Sequence, residues 1–441
     1  MNSNNNTAAK FGLIGAVIYG VNSIIGSGIF LLPGELYKLT GPASIIMILI
    51  DVFVVLCFAL CFAECSKYFD KNGGAYQYAK FSMGDLAGFN IGVLGWLTNV
   101  IGWGVMAVGF AKLFLAFFPE LPLTVSQTAL LIIWVFAISN LFGMRTSKNL
   151  TLVITVIKLI PIIGFCFVSL FFLKSGIENA NFTPFVQLPT DKSLFDGVSQ
   201  STLLLFYAFL GFEALPIIAA EIKSPEKNVS RAILITVFFV SLIYFLIIAG
   251  AVAILGKDII HYDSPIQQAA KLTLGSVGGS IIALGAIISI AGLNMSCSII
   301  TPRIASAIAD DGMLPGIFAR KNNAGAPVFS TLISALIASV IVMSGTFAQL
   351  AELAVLMFFL QYIPTPIATI IMKYRRKKNN EVEKEGFVLP LGYIFPVLAL
   401  AISFIIICNS RPVNIIFMLS SIILSSVVWF ISFRRQSVRS E

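Results

Sequence analysis

Gly26-Ser27-Gly28 interrupts the first long apolar run of this chain, and Gly211-Phe212-Glu213, with Pro216 just beyond, interrupts the sixth. A helix broken inside hydrocarbon leaves N–H and C=O groups without partners. That is tolerated only where the backbone is buried in protein or lines a cavity. Two such breaks at corresponding places in two halves of a chain point to a binding site near the middle of a membrane.

Composition supplies the membrane. The 441 residues are 58% hydrophobic and 11% charged, with a mean hydropathy of +0.93, whereas soluble domains carry roughly 25% charged residues. A hydrocarbon core of ~30 Å needs about 20 apolar residues at ~1.5 Å each. Twelve segments qualify, near 11–32, 42–66, 86–118, 124–142, 150–173, 195–220, 231–255, 277–308, 328–344, 350–372, 388–408 and 412–432. Residues 1–10 form a polar N-terminal tail in which no signal peptide is expected. A transporter core spans 11–372, a basic cytoplasmic linker 373–387, a last pair of spans 388–432 and a tail 433–441. With both termini inside, the cytoplasmic segments hold 21 Lys and Arg against 6 outside, the asymmetry that sets orientation. The net charge of +8 is then a topology signal, with no nucleic-acid partner implied.

The breaks divide the core into spans 1–5 (11–173) and spans 6–10 (195–372). Each unit makes five crossings, so the second copy is inverted, and the fold expected is all-α with a 5+5 inverted repeat plus two C-terminal helices. At the first break, Gly26 and Gly28 let backbone approach a ligand. The half-helix from Ile29 presents free N–H groups and a positive dipole end suited to a carboxylate. Carbonyls at the end of the preceding half-helix, around Ser23 to Ile25, and near Tyr207 to Leu210 suit an ammonium. Two poles of that kind match a free α-amino acid. The competing reading of Gly26-Ser27-Gly28 is close helix packing alone.

Ionisable residues inside spans are costly, at roughly 2.5–3.5 kcal/mol each. Lys158, in the middle of span five, is expected to face inward and offer its ammonium to carbonyls freed by the first break; snorkelling to an interface is the alternative. Glu213 is either a proton-exchanging carboxyl or a permanently bonded structural one. Glu64 and Glu221 read as ion pairs at helix ends, and Asp51 is unexplained. The six cysteines fall in or beside spans without metal or disulfide spacing, and His261 stands alone. No metal site, catalytic group or cofactor is expected.

At these residues the chain resembles the amino acid/polyamine/organocation superfamily of permeases. The resemblance rests on Gly26-Ser27-Gly28-Ile29-Phe30-Leu31-Leu32-Pro33, Gly73-Gly74-Ala75-Tyr76, Tyr207-Ala208-Phe209-Leu210-Gly211-Phe212-Glu213, Lys223-Ser224-Pro225-Glu226-Lys227-Asn228 with Arg231, and Ala309-Asp310-Asp311-Gly312-Met313-Leu314-Pro315. It implies a leucine-transporter-type fold. It also implies that Ser27 and Gly28 bind the substrate carboxylate, that the carbonyls of Ile24, Tyr207 and Leu210 bind the amine, and that Tyr207 is an aromatic lid, with Gly26 and Gly211 completing the substrate-binding backbone. Lys158 looks like the span-five lysine that occupies the sodium position in sodium-independent members. The chain is similar to bacterial arginine/agmatine antiporters in the first break, but those lack this lysine. Simple spacing puts Trp103 where they have a guanidinium-binding asparagine and Cys297 where they have a tryptophan. Asn99, Trp103, Met106 and Cys297 then line a largely apolar side-chain pocket.

The expectation is a sodium-independent, multi-pass plasma-membrane transporter of neutral α-amino acids. It would be driven by proton symport or amino acid exchange, with Lys158 and Glu213 as coupling residues under the proton reading. The alternatives are a basic amino acid or polyamine antiporter and, from other classes, a channel or membrane sensor. Enzyme motifs are not found.

Overall fold

The computed structural model describes residues 10–69, 74–142, 148–190, 193–310, 314–380 and 385–437, the side chains of 148–154, Ala220 and 431–437 excepted. Gly73 and Asp311 to Met313 of the quoted motifs lie outside the described residues, as do most of the N-terminal tail, residues 381–384 of the linker, the end of the C-terminal tail and the basic residues Lys71, Arg145 and Lys192.

All regular elements among the described residues are helical, as hydrocarbon demands of a chain that must satisfy its own backbone. In chain order they begin with α1 (Leu13–Ile24), α2 (Gly28–Thr40), α3 (Ser44–Ser66), α4 (Ala75–Met83), α5 (Asp85–Phe117), α6 (Val125–Leu141), α7 (Lys148–Leu170) and α8 (Leu173–Glu178). The second half supplies α9 (Leu194–Phe209), α10 (Ala214–Ile217), α11 (Pro225–Leu255), α12 (Pro265–Asp310), α13 (Val328–Met343), α14 (Phe347–Tyr362) and α15 (Pro364–Asn379). The chain ends on α16 (Ile394–Cys408) and α17 (Pro412–Ser437). Seven helical stretches among the described residues are long and apolar enough to cross a membrane, and five shorter apolar helices accompany them. The lipid-facing surface is correspondingly greasy: Phe238 is 73% exposed and Phe404 70%.

The quoted sites do break the helices. α1 ends at Ile24 and α2 starts at Gly28; α9 ends at Phe209 and the short α10 starts at Ala214. α6, α9 and α14 each begin with a capping box, formed by Thr124 with Gln127, Ser193 with Asp196 and Thr346 with Gln349. These satisfy exposed helix-end donors at the edges of the apolar spans.

The first part of the basic segment 373–387, Lys373 to Lys378, forms the last turns of α15. Cationic side chains favour a helix C-terminus because they oppose its dipole. Residues 385–393 then lie against the bundle: the Leu389 N–H donates to Glu64 at 2.8 Å and Lys67 donates to the Phe387 carbonyl at 2.8 Å. The Glu64–Lys67 pair is itself buried at 3.1 Å. Lys67, Lys80, Lys227 and the α15 cations all gather at this end, called the basic end below.

A second pair of matched features lies outside the apolar spans. α4 meets α5 at Gly84 (φ 92°, ψ −178°), and α12 contains a non-helical joint at Gly275 (φ 73°, ψ −174°). Positive φ favours glycine at both. The flanking sequences match: Lys80-Phe81-Ser82-Met83-Gly84-Asp85-Leu86-Ala87-Gly88 and Lys271-Leu272-Thr273-Leu274-Gly275-Ser276-Val277-Gly278-Gly279. A Cβ on Gly88 would meet Lys80 Cβ at 2.9 Å, and one on Gly279 would meet Lys271 Cβ at the same distance. Helix contacts pair up in the same way: α5 with α14 and α12 with α7, α5 with α6 and α12 with α13, α1 with α7 and α9 with α14.

Candidate functional site

The two breaks face each other across the core. An ideal Cβ on Gly28 would stand 2.9 Å from Ala208 Cα and 3.3 Å from Tyr207 Cδ1. Glycine at 28 is therefore what lets α2 and α9 touch. Gly211 adopts φ +121°, and a Cβ there would overlap the Ser23 carbonyl, which is backbone and has little room to yield. Gly211→Ala is expected to destabilise the folded protein by about 2–3 kcal/mol or more, combining left-handed strain with a backbone clash. Thermal unfolding of the purified variant measures it.

Ser27 is fully buried at the first break. Its Oγ lies 3.0 Å from the Tyr207 hydroxyl and donates to Met106 Sδ at 3.5 Å. Tyr207 is in turn set edge-on against Phe347 of α14, with ring centroids 5.7 Å apart. Met106 and Leu293 approach Gly26, since a Cβ there would lie 2.9 Å from Met106 Cε and 3.5 Å from Leu293 Cδ1. Gly109 of α5 makes room for Ser27, because a Cβ at 109 would come within 2.5 Å of Ser27 Cβ. Five elements, α2, α5, α9, α12 and α14, thus converge on a small site with an anion-accepting pole, the first turn of α2, whose leading N–H groups have no intrahelical partners.

Lys158 is buried on α7, and its ammonium donates to the carbonyls of Asn22 at 2.9 Å and Ile25 at 2.8 Å. The break at 25–27 frees carbonyls by ending α1 early, and a long cationic side chain from another helix fills the need. The Ile24 carbonyl is engaged elsewhere: Tyr244 of α11 donates to it at 3.3 Å and to the Ala208 carbonyl at 2.8 Å. The Tyr207 carbonyl accepts the Leu210 N–H at 3.3 Å. Two of the three carbonyls assigned to the substrate amine therefore already hold protein donors in this conformation.

At the second break, Glu213 Oε2 accepts the Gly211 N–H at 2.9 Å and the Tyr362 hydroxyl at 2.5 Å. The side chain closes the loop that interrupts the helix and ties it to α14. Glu213 also reaches a cavity of about 230 Å³ between the centre and the basic end, whose lining includes Asn99, Gln361, Phe62 and Phe89.

The structure brings Gly26, Ser27, Gly28, Met106 and Tyr207 into one site. It places Asn99 in the cavity instead. Trp103 is fully buried, and its Nε1 has no hydrogen-bond partner among the described residues. Cys297 lies one helical turn beyond Leu293 on α12, partly exposed. Sequence reasoning missed Tyr244, Gly109, Phe347 and Tyr362. Tyr244 shares its span with the hydroxyls of Thr236 and Ser241, so nothing in the sequence singles it out, and the other three are visible only once the helices are packed.

A family model described as amino acid permease matches residues 11–439. The chain is 32% identical over 422 residues to an uncharacterized transporter of Mycobacterium tuberculosis, covering 90% of this chain and 87% of that protein. It is 26% identical to the methylthioribose transporter of Bacillus subtilis, with 96% and 92% covered, and 27% identical to a serine/threonine exchanger of the same organism, with 91% of each covered.

Proposed function

Because the chain belongs to the amino acid permease family, and is accordingly a multi-pass membrane transporter and not an enzyme, we propose that it moves neutral α-amino acids without sodium by alternating access. The observation that carries this reading is the Lys158 ammonium seated on the carbonyls of Asn22 and Ile25 beside Ser27. A fixed cation at the broken helix supplies the charge that a bound sodium ion would otherwise bring to those carbonyls.

Neutral substrates are favoured by the surroundings. No carboxylate lies among Gly26, Ser27, Gly28, Met106, Tyr207, Leu293 and Phe347, so a second positive charge on the substrate would be buried without a partner, at a cost of several kcal/mol. The kinship with a serine/threonine exchanger agrees with this. In our reading Ser27, Gly28 and the first turn of α2 take the carboxylate, and Tyr207 leaves its Ser27 bond to cover the substrate.

Spans 1–5 and 6–10 form the inverted repeat. The matched joints at Gly84 and Gly275 and the exchanged helix contacts support it, with twelve crossings, both termini cytoplasmic and the basic end inside. Broken helices one and six move together: the Phe11 N–H donates to the Glu221 carbonyl at 2.8 Å and the Lys223 N–H to the Phe11 carbonyl at 2.9 Å, joining the chain before α1 to that after α10. The end opposite the basic one is held by Lys112 to Asp263 at 3.1 Å and by the Gln187 N–H on the Thr40 carbonyl at 3.2 Å. The cavity next to the second break then lies toward the cytoplasmic side.

Uptake of labelled amino acids into liposomes, sodium-free and at two external pH values, is the test. Uptake is expected for neutral substrates. A requirement for internal amino acid assigns exchange, whereas uptake into empty liposomes driven by an inward proton gradient assigns proton symport. A sodium requirement, or uptake confined to cationic substrates, overturns the proposal.

A further inference from the structure

The cavity on the basic side of the break is separate from the site around Ser27. Both lie along one face of α5: Asn99 precedes Met106 by seven residues, which is two helical turns, about 10.5 Å along the axis and nearly eclipsed. Gly95 and Gly92 continue that face into the cavity. Its walls are apolar, from Phe62, Phe89 and Ile308, and Asn99, Glu213 and Gln361 bring polar groups to the lining, with Gln361 Oε1 3.6 Å from where a Cβ on Gly95 would stand and Asn99 bonded to the Gly95 carbonyl.

Those polar groups are incompletely used. Gln361 is buried, and its Nε2 has no partner among the described residues. Rotation of the terminal amide can turn that donor to the cavity. Glu213 takes both of its described bonds on Oε2, leaving Oε1 to meet a cation. Asn99 donates its Nδ2 to the Gly95 carbonyl at 2.8 Å, leaving Oδ1 as an acceptor. One donor and two acceptors, one of them a carboxylate, line an otherwise greasy chamber. At about 230 Å³ the chamber falls below the ~300 Å³ at which drug-sized pockets begin, so it suits a small solute.

We propose that this chamber is a second amino acid site, occupied on the way to the cytoplasm. The ammonium binds Glu213 Oε1 and Asn99 Oδ1, the carboxylate binds Gln361 Nε2, and an apolar side chain lies against Phe62, Phe89 and Ile308. The inference rests on the reading of the protein as an amino acid transporter and adds a release site with its own preference for apolar side chains.

Equilibrium binding of each of the twenty standard amino acids, radiolabelled, to the full chain in lipid nanodiscs tests it. The best-bound amino acid is expected to saturate at two equivalents per protein. Gln361→Leu removes the donor. Gly92→Leu fills the chamber, where a Cβ meets Tyr76 Cδ2 only at 3.6 Å and so has space. Each is expected to reduce the stoichiometry to one, as is Ser27→Trp from the other site, and Ser27→Trp combined with Gly92→Leu to abolish binding. Saturation at one equivalent in the unaltered protein, or at two in both chamber variants, overturns the second site while leaving the transporter reading intact. Absence of binding by all twenty to monodisperse protein overturns the amino acid reading and the second site with it.

Discussion

Replacing Lys158 with alanine is expected to lower the initial rate of amino acid uptake about a hundredfold in sodium-free buffer. The ammonium satisfies the Asn22 and Ile25 carbonyls at 2.9 and 2.8 Å, and each carbonyl left buried and unpaired costs roughly 1–3 kcal/mol. Two of them amount to about 3 kcal/mol, and at ~1.4 kcal/mol per decade this is the hundredfold. The loss falls on transport because these carbonyls flank Ser27 and fix the course of the chain through the break. Lys158→Met, which keeps the stem and discards the charge, should lose as much. Added sodium should restore part of the rate in the alanine variant, since a small cation can meet the same carbonyls. Uptake and ion response both unchanged would show that Lys158 only fills space.

The broken spans were legible because glycine interrupts an apolar run at corresponding places in both halves, which close helix packing alone does not require, and the structure interrupts its helices at both. The joints at Gly84 and Gly275 were equally present in the sequence, as two copies of Lys-x-x-x-Gly-x-x-x-Gly. They carry no membrane-depth signal, because they lie at the edges of the hydropathy segments, where apolar periodicity has faded. The helical start of the basic segment after residue 372 was hidden for a related reason. Charge marks where a helix leaves the bilayer but not where it ends, and α15 runs on to Asn379.

The arrangement of the candidate site was legible where residue type at a break suggests it, as with the juxtaposition of Ser27, Gly28 and Tyr207, and for Lys158, whose burial a mid-span charge requires. Positions defined by cross-helix neighbours were not. Gly109 matters because Ser27 needs its missing side chain, and nothing in the sequence near 109 states that requirement. Spacing along α5 grouped Asn99 with Met106 as one pocket wall. The two turns between them set Asn99 in the chamber and leave Met106 at the break, a separation that a shared helix face conceals.

Ser27→Trp is expected to reduce uptake to background while leaving membrane insertion and a monodisperse, folded protein. Ser27 Cβ is packed against the backbone of α5 at Gly109, and its Oγ stands 3.0 Å from the Tyr207 hydroxyl and 3.5 Å from Met106 Sδ, so an indole at 27 must occupy the volume that a substrate carboxylate and the moving Tyr207 would share. Overpacking of this kind costs roughly 1–3 kcal/mol in folding, which a large helical bundle tolerates, whereas a filled site leaves no bound state to turn over. Ser27→Ala, by contrast, removes one neutral hydrogen bond of ~0.5–1.5 kcal/mol and should lower uptake only about tenfold or less. Gly109→Val reaches the same volume from α5 without altering Ser27 and should match the tryptophan variant. If both bulky variants transported normally, the first break would not be where the substrate binds, and the chamber lined by Glu213 and Gln361 would become the principal site.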